Sequence, residues 1–559
     1  MPVPGRSRIG GSPVSRRIGF DASLLSNFQL LLRDKEARRI FMVHCHGYDP
    51  VADDLVHLKF IDDVWYGDKS HKQRVVSALT FKSQVVAGGA GDNVNSSVGA
   101  GDIILAPTGE DIGELDYLTD LAWDDRDLEV LMGGERFLES EFEPVFSGIS
   151  KELVWGEDSF NLSVSDTNDA LKIPMQEEHY LGTGGDEGGE EINGDDKPLG
   201  FGECINVTPI KIDDNLGSPV YQVHSGPIER FDLVRDMLLD LTAPNGGLND
   251  VTEMPGGPYA DVRDVPLLPS EWCQDVSKGI FRLASPPGGK VTCNFRGATF
   301  GGRFVQRAWD LALEIIRTYG GLPDSKISLS TFARLDAETQ TLPNGGNVNL
   351  YITETVNVEE VVRAIMQSVF AYQTYTSLGQ VAVFQFRFQT PALIIDQKDV
   401  VSIAKRKSAP PQFRRTVHYG RNWTVFSESD FGLGVTDEQK EFFRQEFRSE
   451  ISEDETIRDR RLSATEAVMN TLLDGVYPRW TTGVVNNDAV PIASQSFDLM
   501  REDRQEYELV IQNHAFRNKT GQTALLTYNR WGLDMGVRCV IVGLGEDSNS
   551  GHTTLSLWR

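Results

Sequence analysis

Apolar and polar positions alternate over short segments between residues 39 and 149. These segments have the length and composition of β-strands and are separated by Gly and Asp turns. They read RIFMVHCHGY, LVHLKFI, RVVSALTF, DIILAP, LEVLMG and EPVFSGI. Many short strands with regular turns are typical of a barrel or a sandwich. The pattern therefore predicts a β-barrel-like domain, which we place at residues 19–176.

Helical and strand-like spacing alternate in the middle of the chain. Apolar residues recur at helical spacing in three segments, at residues 227–241, 308–319 and 358–371. The segment QVAVFQFRF at 380–388 instead alternates with a period of two, as a strand does. Glycines between the apolar segments at 279–283 and 291–292 predict a hairpin. Helices packed beside a small sheet indicate an α+β domain, placed at 271–408.

The C-terminal part of the chain returns to strand-like patterns. Residues 416–426 predict a strand with a bend at Gly420, and the segments RCVIVGLGED and TTLSLW predict two closing strands. A strand that ends at Trp558, next to the last residue, indicates a terminus held in a sheet. These patterns predict a β-rich domain at residues 409–559.

Two helices are also predicted in this part of the chain. Thr436 with Gln439, and Ser463 with Glu466, match the capping box that begins many helices. Apolar residues four apart extend the first helix along one buried face, through Phe443, Phe447 and Ile451.

The length of 559 residues exceeds what one hydrophobic core organises, and domain sizes suggest about three to five domains. We predict a flexible basic arm at 1–18, the barrel-like domain at 19–176, a second domain with an acidic Gly-rich loop at 177–270, the α+β domain at 271–408 and the β-rich domain at 409–559. The composition, 40% hydrophobic and 24% charged, is that of a globular protein. No apolar segment approaches the roughly 18 residues that span a bilayer, so we expect no stable membrane insertion.

The net charge of −28 disfavours general adhesion to nucleic acid or anionic lipid. Basic residues nevertheless cluster in two places, with Arg6, Arg8, Arg16 and Arg17 in the first and Lys405, Arg406, Lys407, Arg414 and Arg415 in the second. A solvated arm and a solvated linker are favoured over docking patches. The N-terminus lacks the apolar region of a secretory signal, so we expect synthesis and folding in a cytoplasm.

His44-Cys45-His46 places two imidazoles on one face of a strand, because side chains two residues apart point to the same side. A structural metal site needs four ligands, and no second Cys or His pair is near in sequence, which disfavours a metal. Five scattered cysteines without a CxxC motif predict reduced thiols, at Cys45, Cys204, Cys273, Cys293 and Cys539. We expect no metal and no cofactor.

Other candidate chemistry has simpler structural explanations. Glycines at 88–91 and 99–101 lack the terminal Lys-Ser/Thr of a phosphate-binding loop, and turns explain them. Clustered carboxylates could ligate calcium, but a solvated loop is favoured for Asp186, Glu187, Glu190, Glu191, Asp195 and Asp196. Packing in a core or subunit interface is favoured over stacking platforms for Trp65, Tyr66, Tyr372, Tyr375 and Trp480. No nucleophile-with-base or paired-carboxylate signature occurs, and we predict no catalytic residue.

The segment from Glu177 to Ile228 joins an acidic Gly-rich loop to two strand-like stretches. Its elements are Lys197-Pro198, Gly202, Asn206-Val207, Pro209, Tyr221 to His224 and Gly226-Pro227. The series resembles the hub proteins of siphophage tails and gene transfer agents, where it lies between the first and second domains. Two further segments resemble the same family in the same order, at Gly279 to Gly297 and at Tyr419 to Thr424.

The first domain also carries elements of that family. Gly101 to Ile104, Gly133-Gly134 and Val145 to Gly148 stand where the family has glycine-bounded strands. Trp123-Asp124-Asp125-Arg126 stands at a turn where the family usually has Asp-Gly-Arg, so Asp125 occupies the position of a glycine. The resemblance covers nearly the whole chain from about residue 20.

The resemblance implies a β-rich α+β multidomain fold, with barrel or sandwich domains of the phage tail hub type and smaller α+β domains. It also implies a homotrimer at the distal end of the tail, which adapts the sixfold tail tube to threefold tip structures and encloses a channel for DNA ejection. The expected partners are the distal tail protein ring, the tape measure protein, receptor-binding tip or fibre proteins, and DNA in transient passage. An acidic channel wall would repel phosphate and let DNA slide.

Two other functions stay open. A tail tip protein that binds or degrades a host surface polysaccharide would act at the same place, but the chain lacks the long repetitive β-helical stretch and the paired carboxylates of tail-spike enzymes. A cytosolic metalloenzyme would depend on His44 and His46. The sequence favours a structural virion protein that is not an enzyme.

Overall fold

The computed structural model describes most of the chain as helices, strands and the turns between them. The described residues are 26–34, 37–67, 71–85, 96–107, 112–165, 171–214, 217–243, 249–254, 256–406, 409–475, 487–512, 519–548 and 550–559. The arm predicted at 1–18, the glycines at 88–91, Lys407 and Trp480 lie outside these ranges. Strands predominate, which confirms the predicted β-rich α+β class.

The N-terminal part folds into an eight-stranded sheet. The first ten strands are β1 Arg39–Asp49, β2 Asp54–Ile61, β3 Lys72–Gln73, β4 Val75–Ser77, β5 Thr80–Val85, β6 Ser96–Ala100, β7 Ile103–Leu105, β8 Arg126–Gly134, β9 Glu143–Trp155 and β10 Phe160–Ser165. The order of the sheet is β3-β2-β1-β8-β9-β10-β7-β4. Because β3 and β4 adjoin in the chain yet lie at opposite ends of this order, the sheet curls into a nearly closed barrel.

The two faces of β1 pack differently. Phe41, Val43 and Cys45 point into the barrel core, as period-two alternation requires. Ile40 and Met42 point outward and form a small separate core with Ile61 and Phe142. Segments that follow β2 and β8 therefore cover part of the outer face of the barrel.

The middle of the chain forms a sandwich of two antiparallel sheets. The strands in this part of the chain are β11 Leu199–Phe201, β12 Glu203–Val207, β13 Ile210–Asp213, β14 Val220–Gln222, β15 Ile228–Asp236, β16 Leu239–Asp240, β17 Trp272–Asp275, β18 Ile280–Leu283, β19 Val291–Phe300 and β20 Arg303–Phe304, of which β11 pairs only with the later strand at Leu350–Ile352. One sheet has the order β12-β19-β15-β16 and the other β13-β14-β18-β17. Phe231, Phe281 and Phe295 share the core between these sheets.

Three helices and a strand pair follow the sandwich. The helices of the chain are α1 Asn27–Arg33, α2 Ala308–Thr318, α3 Leu329–Thr339, α4 Val358–Ser368, α5 Asp437–Arg444, α6 Glu455–Arg460 and α7 Ala489–Met500. The next strands are β21 Leu350–Ile352, β22 Ala371–Tyr375 and β23 Val381–Gln385, and β22 pairs with β23. Leu311, Ile315 and Ile365 lie in the core that these elements share. The predicted α2, α4 and β23 are confirmed.

A second large sheet unites distant parts of the chain. The remaining strands are β24 Leu393–Ile395, β25 Val400–Arg406, β26 Gln412–Tyr419, β27 Arg448–Glu453, β28 Thr465–Asn470, β29 Glu506–Gln512, β30 Thr523–Leu526, β31 Val537–Asp547 and β32 His552–Trp558. The main order of this sheet is β24-β30-β31-β32-β29-β25, and β26 pairs separately with β27 and β28. Strands from both sides of residue 408 thus pair in one sheet.

The second large sheet also has eight strands, because it includes two strands from the N-terminal part of the chain. The hairpin of β5 and β6 leaves the N-terminal part and pairs with the second half of β31, with Lys82 opposite Gly545. Residues of both sheets, such as Phe146 and Leu557, belong to one continuous hydrophobic core. The first and last parts of the chain therefore form two adjacent eight-stranded sheets with a shared core.

The predicted helix at 227–241 is wrong, because residues 228–236 form β15. Phe231 and Val234 are both buried, three residues apart, which produced the helical spacing. The pairing of β15 with β19 shifts between Phe231 and Leu233, so the strand carries a β-bulge there. A bulge adds one residue to a strand and can place residues three apart on one face.

The predicted hairpin at 279–292 is also wrong. Its two segments form β18 and β19, but β18 pairs with β14 and β17, whereas β19 pairs with β12, β15 and β20. The glycines therefore lie in a connection between the two layers of the sandwich, which pack face to face instead of edge to edge.

Two predictions in the C-terminal part fail for a related reason. The capping box at Thr436 begins α5 as predicted, but α5 ends at Arg444 and Ile451 lies in β27. The pattern at Ser463 precedes the strand β28 instead of a helix, because pairing with β26 buries Ala467 and Met469 alternately. The predicted solvated linker also contains strand residues, and Arg415 is buried within β26.

No helix in the described ranges is long and apolar enough to cross a membrane.

Candidate functional surfaces

The segments that resemble the tail hub family meet in space at the side of the sandwich. Asn206, at the end of β12, is fully buried, and its Nδ2 donates to the carbonyl oxygen of Thr424 at 2.7 Å. The backbone N–H of Asn206 donates to Oδ1 of Asn294 at 2.9 Å. The hydroxyls of Thr208 and Thr424 lie 2.7 Å apart. Segments that are far apart in sequence are thus fastened by buried polar contacts.

The neighbours of Thr424 complete this junction. Asn422 is buried and its Nδ2 donates to the carbonyl oxygens of Phe442 and Gln445. The indole N–H of Trp423 donates to Oδ1 of Asn349 at 3.1 Å, and the guanidinium of Arg421 lies 4.4 Å from the centre of its ring. Buried amide side chains of this kind fix one arrangement of the backbone, because any other arrangement leaves polar groups unpaired.

Gly202 shows why the first family segment needs a glycine. Its φ of +68° is left-handed, and a Cβ there would lie 2.1 Å from the carbonyl oxygen of Val348. The backbone of β12 therefore approaches the segment before β21 more closely than any side chain permits.

His224 is the buried histidine of the first family segment. The backbone N–H of Gly200 donates to its Nδ1 at 3.0 Å. Burial lowers the pKa of His224 from 6.5 to about 4, so the imidazole is neutral at neutral pH. Its environment is that of a structural residue, and a proton on Nδ1 would break the bond from Gly200.

Asp125 adopts the backbone conformation of the glycine that the family carries at this turn. Its φ is +53°, in the left-handed region that Asp and Asn enter more easily than other side chains. The N–H of Asp125 donates to the carbonyl oxygen of Ser150, and its carboxylate pairs with Lys151. The turn therefore has a backbone conformation that glycine would adopt without steric cost, although an aspartate stands there.

The acidic loop is anchored through some of its carboxylates. Asp186 pairs with both Arg263 and Lys278, at 2.9 Å and 2.8 Å. Glu187 pairs with Lys197 at 2.9 Å. Glu190, Glu191 and Asp195 are exposed. The loop is thus fixed to the sandwich on one side and presents negative charge on the other, which differs from the wholly solvated loop that the sequence favoured.

The aromatic and cysteine predictions have clear outcomes within the described residues. Tyr372 and Tyr375 are buried in the helix-bearing core, whereas Tyr66 is exposed. All five cysteines are free and buried, and burial raises the pKa of Cys45 and Cys539 to about 12. These thiols are poor nucleophiles at neutral pH.

His44 and His46 lie on one face of β1, as their spacing predicts, and this is the outer face, because Cys45 points into the barrel core. His46 lies against His57 on β2, with ring centres 4.4 Å apart. His44 instead lies close to His71 and Glu139, which are far from it in sequence. Nothing in the local sequence marks these two residues, because each comes from a different connecting segment.

Comparison with known proteins gives structural similarity at low identity. Neither a protein-family model nor a curated protein matches this sequence. The tail protein from Neisseria meningitidis MC58 aligns with 93% of this chain and 96% of its own, at 8% identity and a TM-score of 0.38. The 43 kDa tail protein of prophage MuSo2 from Shewanella oneidensis aligns with 93% of this chain and 98% of its own, at 9% identity and a TM-score of 0.36.

A third solved structure belongs to the virion of a native gene transfer agent particle. One of its chains aligns with 66% of this chain and 85% of its own, at 13% identity and a TM-score of 0.41. The chain is thus similar, at a low level, to two tail proteins, one of them from a prophage, and to a component of a gene transfer agent virion.

Proposed function

We propose that this protein is a structural component of a phage-like tail, and specifically the hub of the tail tip. The observation that carries the proposal is the pair of eight-stranded sheets that share one hydrophobic core, with the hairpin of β5 and β6 from the N-terminal part built into the second sheet by pairing with β31. Three copies of a chain with two adjacent eight-stranded sheets supply six such sheets around one axis. That number suits a protein that joins a sixfold tube to a threefold tip.

The junction around Asn206 and Thr424 supports the same proposal. A hub transmits load between a tube and a tip, so its domains need fixed relative positions. Buried hydrogen bonds between the segments that resemble the hub family supply such a constraint, because breaking them leaves desolvated groups without partners. The family resemblance in sequence thus falls on residues that hold separate sheets together.

The negative net charge of the chain is an argument for the proposed passage of DNA through the assembled hub. At −28 per chain, a trimer carries a strong negative field, which repels phosphate unless the field is screened by salt. We propose that acidic side chains line the channel and that DNA slides along them. Mapping of the lining in an assembled tip tests this point, and a predominantly basic lining would contradict it.

Measurement of the oligomeric state is the direct test. Mass photometry of the purified full-length chain, alone and mixed with the distal tail protein ring, should give trimers that join the ring. The mixture should be repeated at raised salt, because an acidic chain is attracted electrostatically to any basic ring. Salt screens this non-specific attraction. An unrelated ring protein of similar charge serves as the control. Binding that persists in salt and is specific to the tail ring supports the hub.

The other outcome favours a different tip protein. A monomer that ignores the ring, but binds or cleaves purified envelope polysaccharide of the host, would support the alternative of a surface-sugar binder or enzyme. The tape measure protein and the receptor-binding tip or fibre proteins are the further partners of the proposed hub, at the distal end of the virion tail.

A further inference from the structure

Three potential metal ligands converge on the outer face of the first barrel. Nε2 of His44, on β1, lies 3.1 Å from Nε2 of His71, which directly precedes β3. The same nitrogen of His71 lies 3.8 Å from Oε1 of Glu139. A ligand atom of each residue lies within 4.8 Å of those of the other two. In the described part of the chain, no other group of three such residues meets this distance.

The spacing of these atoms fits a tetrahedral ion. Zinc binds imidazole nitrogen at about 2.0–2.1 Å, so two nitrogens in a tetrahedral site lie roughly 3.3 Å apart. The two imidazole nitrogens are already close to that separation. Glu139 is half-exposed, and a small rotation of its side chain would bring a carboxylate oxygen to the same centre.

The residue between the two histidines of β1 takes no part in this donor set. Cys45 cannot contribute, because its side chain lies in the core on the opposite face of β1.

We propose that His44, His71 and Glu139 bind one zinc ion, or a chemically similar late first-row divalent ion, with water in the fourth position. Two imidazoles and one carboxylate are a donor set that zinc accepts and that magnesium and calcium, which prefer oxygen ligands, do not. The sequence disfavoured a metal because it offered only the pair on β1. The fold supplies the other two ligands from distant segments.

Lys59 competes with a bound metal ion for the carboxylate of Glu139. It is the cross-strand partner of His44, and its Nζ lies 2.8 Å from Oε1 of Glu139. In the metal-free chain the ammonium group compensates the carboxylate. An ion bound to Glu139 would displace Lys59 or confine it to the other carboxylate oxygen. Removal of the lysine charge is therefore expected to tighten metal binding.

The bound ion would act as a clamp on the outer face of the barrel. The segments that carry His71 and Glu139 also carry Trp65 and Phe142, which pack in the small outer core. An ion held between them and β1 would fasten both segments to the barrel. We therefore expect metal to raise the thermal stability of this region and to protect it from proteolysis.

The test uses the full-length chain without a histidine tag. After removal of metal with chelator and incubation with Zn²⁺, elemental analysis of the gel-filtered protein should find one equivalent per chain. Replacement of Zn²⁺ by Co²⁺ should give the visible absorption of a tetrahedral site. His71→Asn and His44→Asn should each lose the bound equivalent and the Co²⁺ spectrum.

Two controls separate this site from its neighbours. His46→Asn and His57→Asn remove imidazoles on the same face that do not belong to the proposed set, and both variants should keep the metal. Lys59→Gln should bind Zn²⁺ more tightly than the unmodified chain. Circular dichroism of each metal-free variant establishes that it is folded.

Three outcomes would overturn the proposal. They are absence of bound Zn²⁺ in the unmodified chain, loss of metal in His46→Asn or His57→Asn equal to that in His71→Asn, and weaker binding by folded Lys59→Gln. If His71→Asn does not fold, the comparison of Lys59→Gln with the unmodified chain still decides, because that variant leaves all three ligands in place.

Discussion

The Nδ2 of Asn206 donates a 2.7 Å hydrogen bond to the carbonyl oxygen of Thr424, although 218 positions separate the two residues in the chain. Asn206 is fully buried and has a left-handed φ of +56°. Asparagine enters this region more easily than most residues because its short polar side chain can form local hydrogen bonds. One residue therefore meets two requirements of the junction, a backbone conformation and a buried donor.

Two substitutions of Asn206 distinguish the contribution of its backbone conformation from that of its buried hydrogen-bond donor. Asn206→Gly keeps the backbone conformation but leaves the carbonyl of Thr424 without its donor, which should cost about 1–3 kcal/mol. Asn206→Ala should cost about 1–2 kcal/mol more, because Ala is strained at positive φ. Differential scanning calorimetry of the full chain should show the transition of the sandwich lowered in this order. Equal melting of the two variants would contradict a role for the backbone conformation.

Asp125 offers a stabilising substitution. At its φ of +53°, glycine has no steric penalty, so Asp125→Gly should stabilise the barrel by about 0.5–1 kcal/mol. The ion pair with Lys151 is exposed and its loss should subtract little. Asp125→Ala is the matched control, since it removes the same carboxylate but keeps a Cβ, and it should be destabilising. Thermal melting of both variants gives the comparison, and a more stable Asp125→Ala would show that the turn is unstrained.

Gly202 and Gly321 have similar backbone conformations but differ in the space available for a side chain. Their φ values are +68° and +63°, but a Cβ at Gly202 would lie 2.1 Å from a backbone oxygen, whereas nothing lies within 4 Å of a Cβ at Gly321. Gly321→Ala should cost about 1–2 kcal/mol through backbone strain alone. Gly202→Ala should cost several kcal/mol, or prevent folding of the sandwich, because backbone must move. Soluble yield and limited proteolysis measure the difference, and similar behaviour of the two variants would argue against the close approach of β12 to Val348.

His224 predicts a loss of stability in acid. Its pKa is about 4 in the folded chain and about 6.5 when unfolded, so the unfolded state binds more protons between these values. The stability contributed by this group is therefore fully present above about pH 6.5 and is lost as pH falls towards 4. The shift corresponds to about 3 kcal/mol.

His224→Asn tests this dependence. Asparagine cannot be protonated here and retains an oxygen that can accept the N–H of Gly200. Between pH 7 and 4, urea unfolding of the variant, followed by near-ultraviolet circular dichroism, should depend on pH less steeply than that of the unmodified chain. Identical profiles would show that other groups determine the acid response.

Local patterns in the sequence predicted many individual elements. The alternation of apolar residues predicted segments that overlap β1, β2, β4, β7, β8 and β9 of the first barrel, but not β3 or β10, and helical spacing identified α2 and α4. The same rule failed at β15, where the bulge near Asp232 imitates a helix, and at β28, where a capping box precedes a strand. In both places the pairing partner, which lies far away in sequence, overrides the local signal.

In the candidate sites, the sequence likewise predicted single residues but not the contacts between them. The family-like segments marked Gly202, Asn206, His224 and Thr424 from the sequence, but not the contacts between them. Strand geometry predicted that His44 and His46 lie on one face of β1. It did not predict that His71 and Glu139 lie close to His44. A connecting segment has no periodicity that reveals where its side chains will lie.

The sequence by itself determined many of the short segments that become strands, which residues of those segments face a core and how strongly the chain is charged, because these properties depend on neighbours within a few positions. Only the tertiary structure decided that β5 pairs with β31, that Asn206 reaches Thr424 and that three potential ligands converge beside β1. These contacts join residues far apart in the chain. Their free energy depends on the packing of whole sheets, which no local pattern encodes.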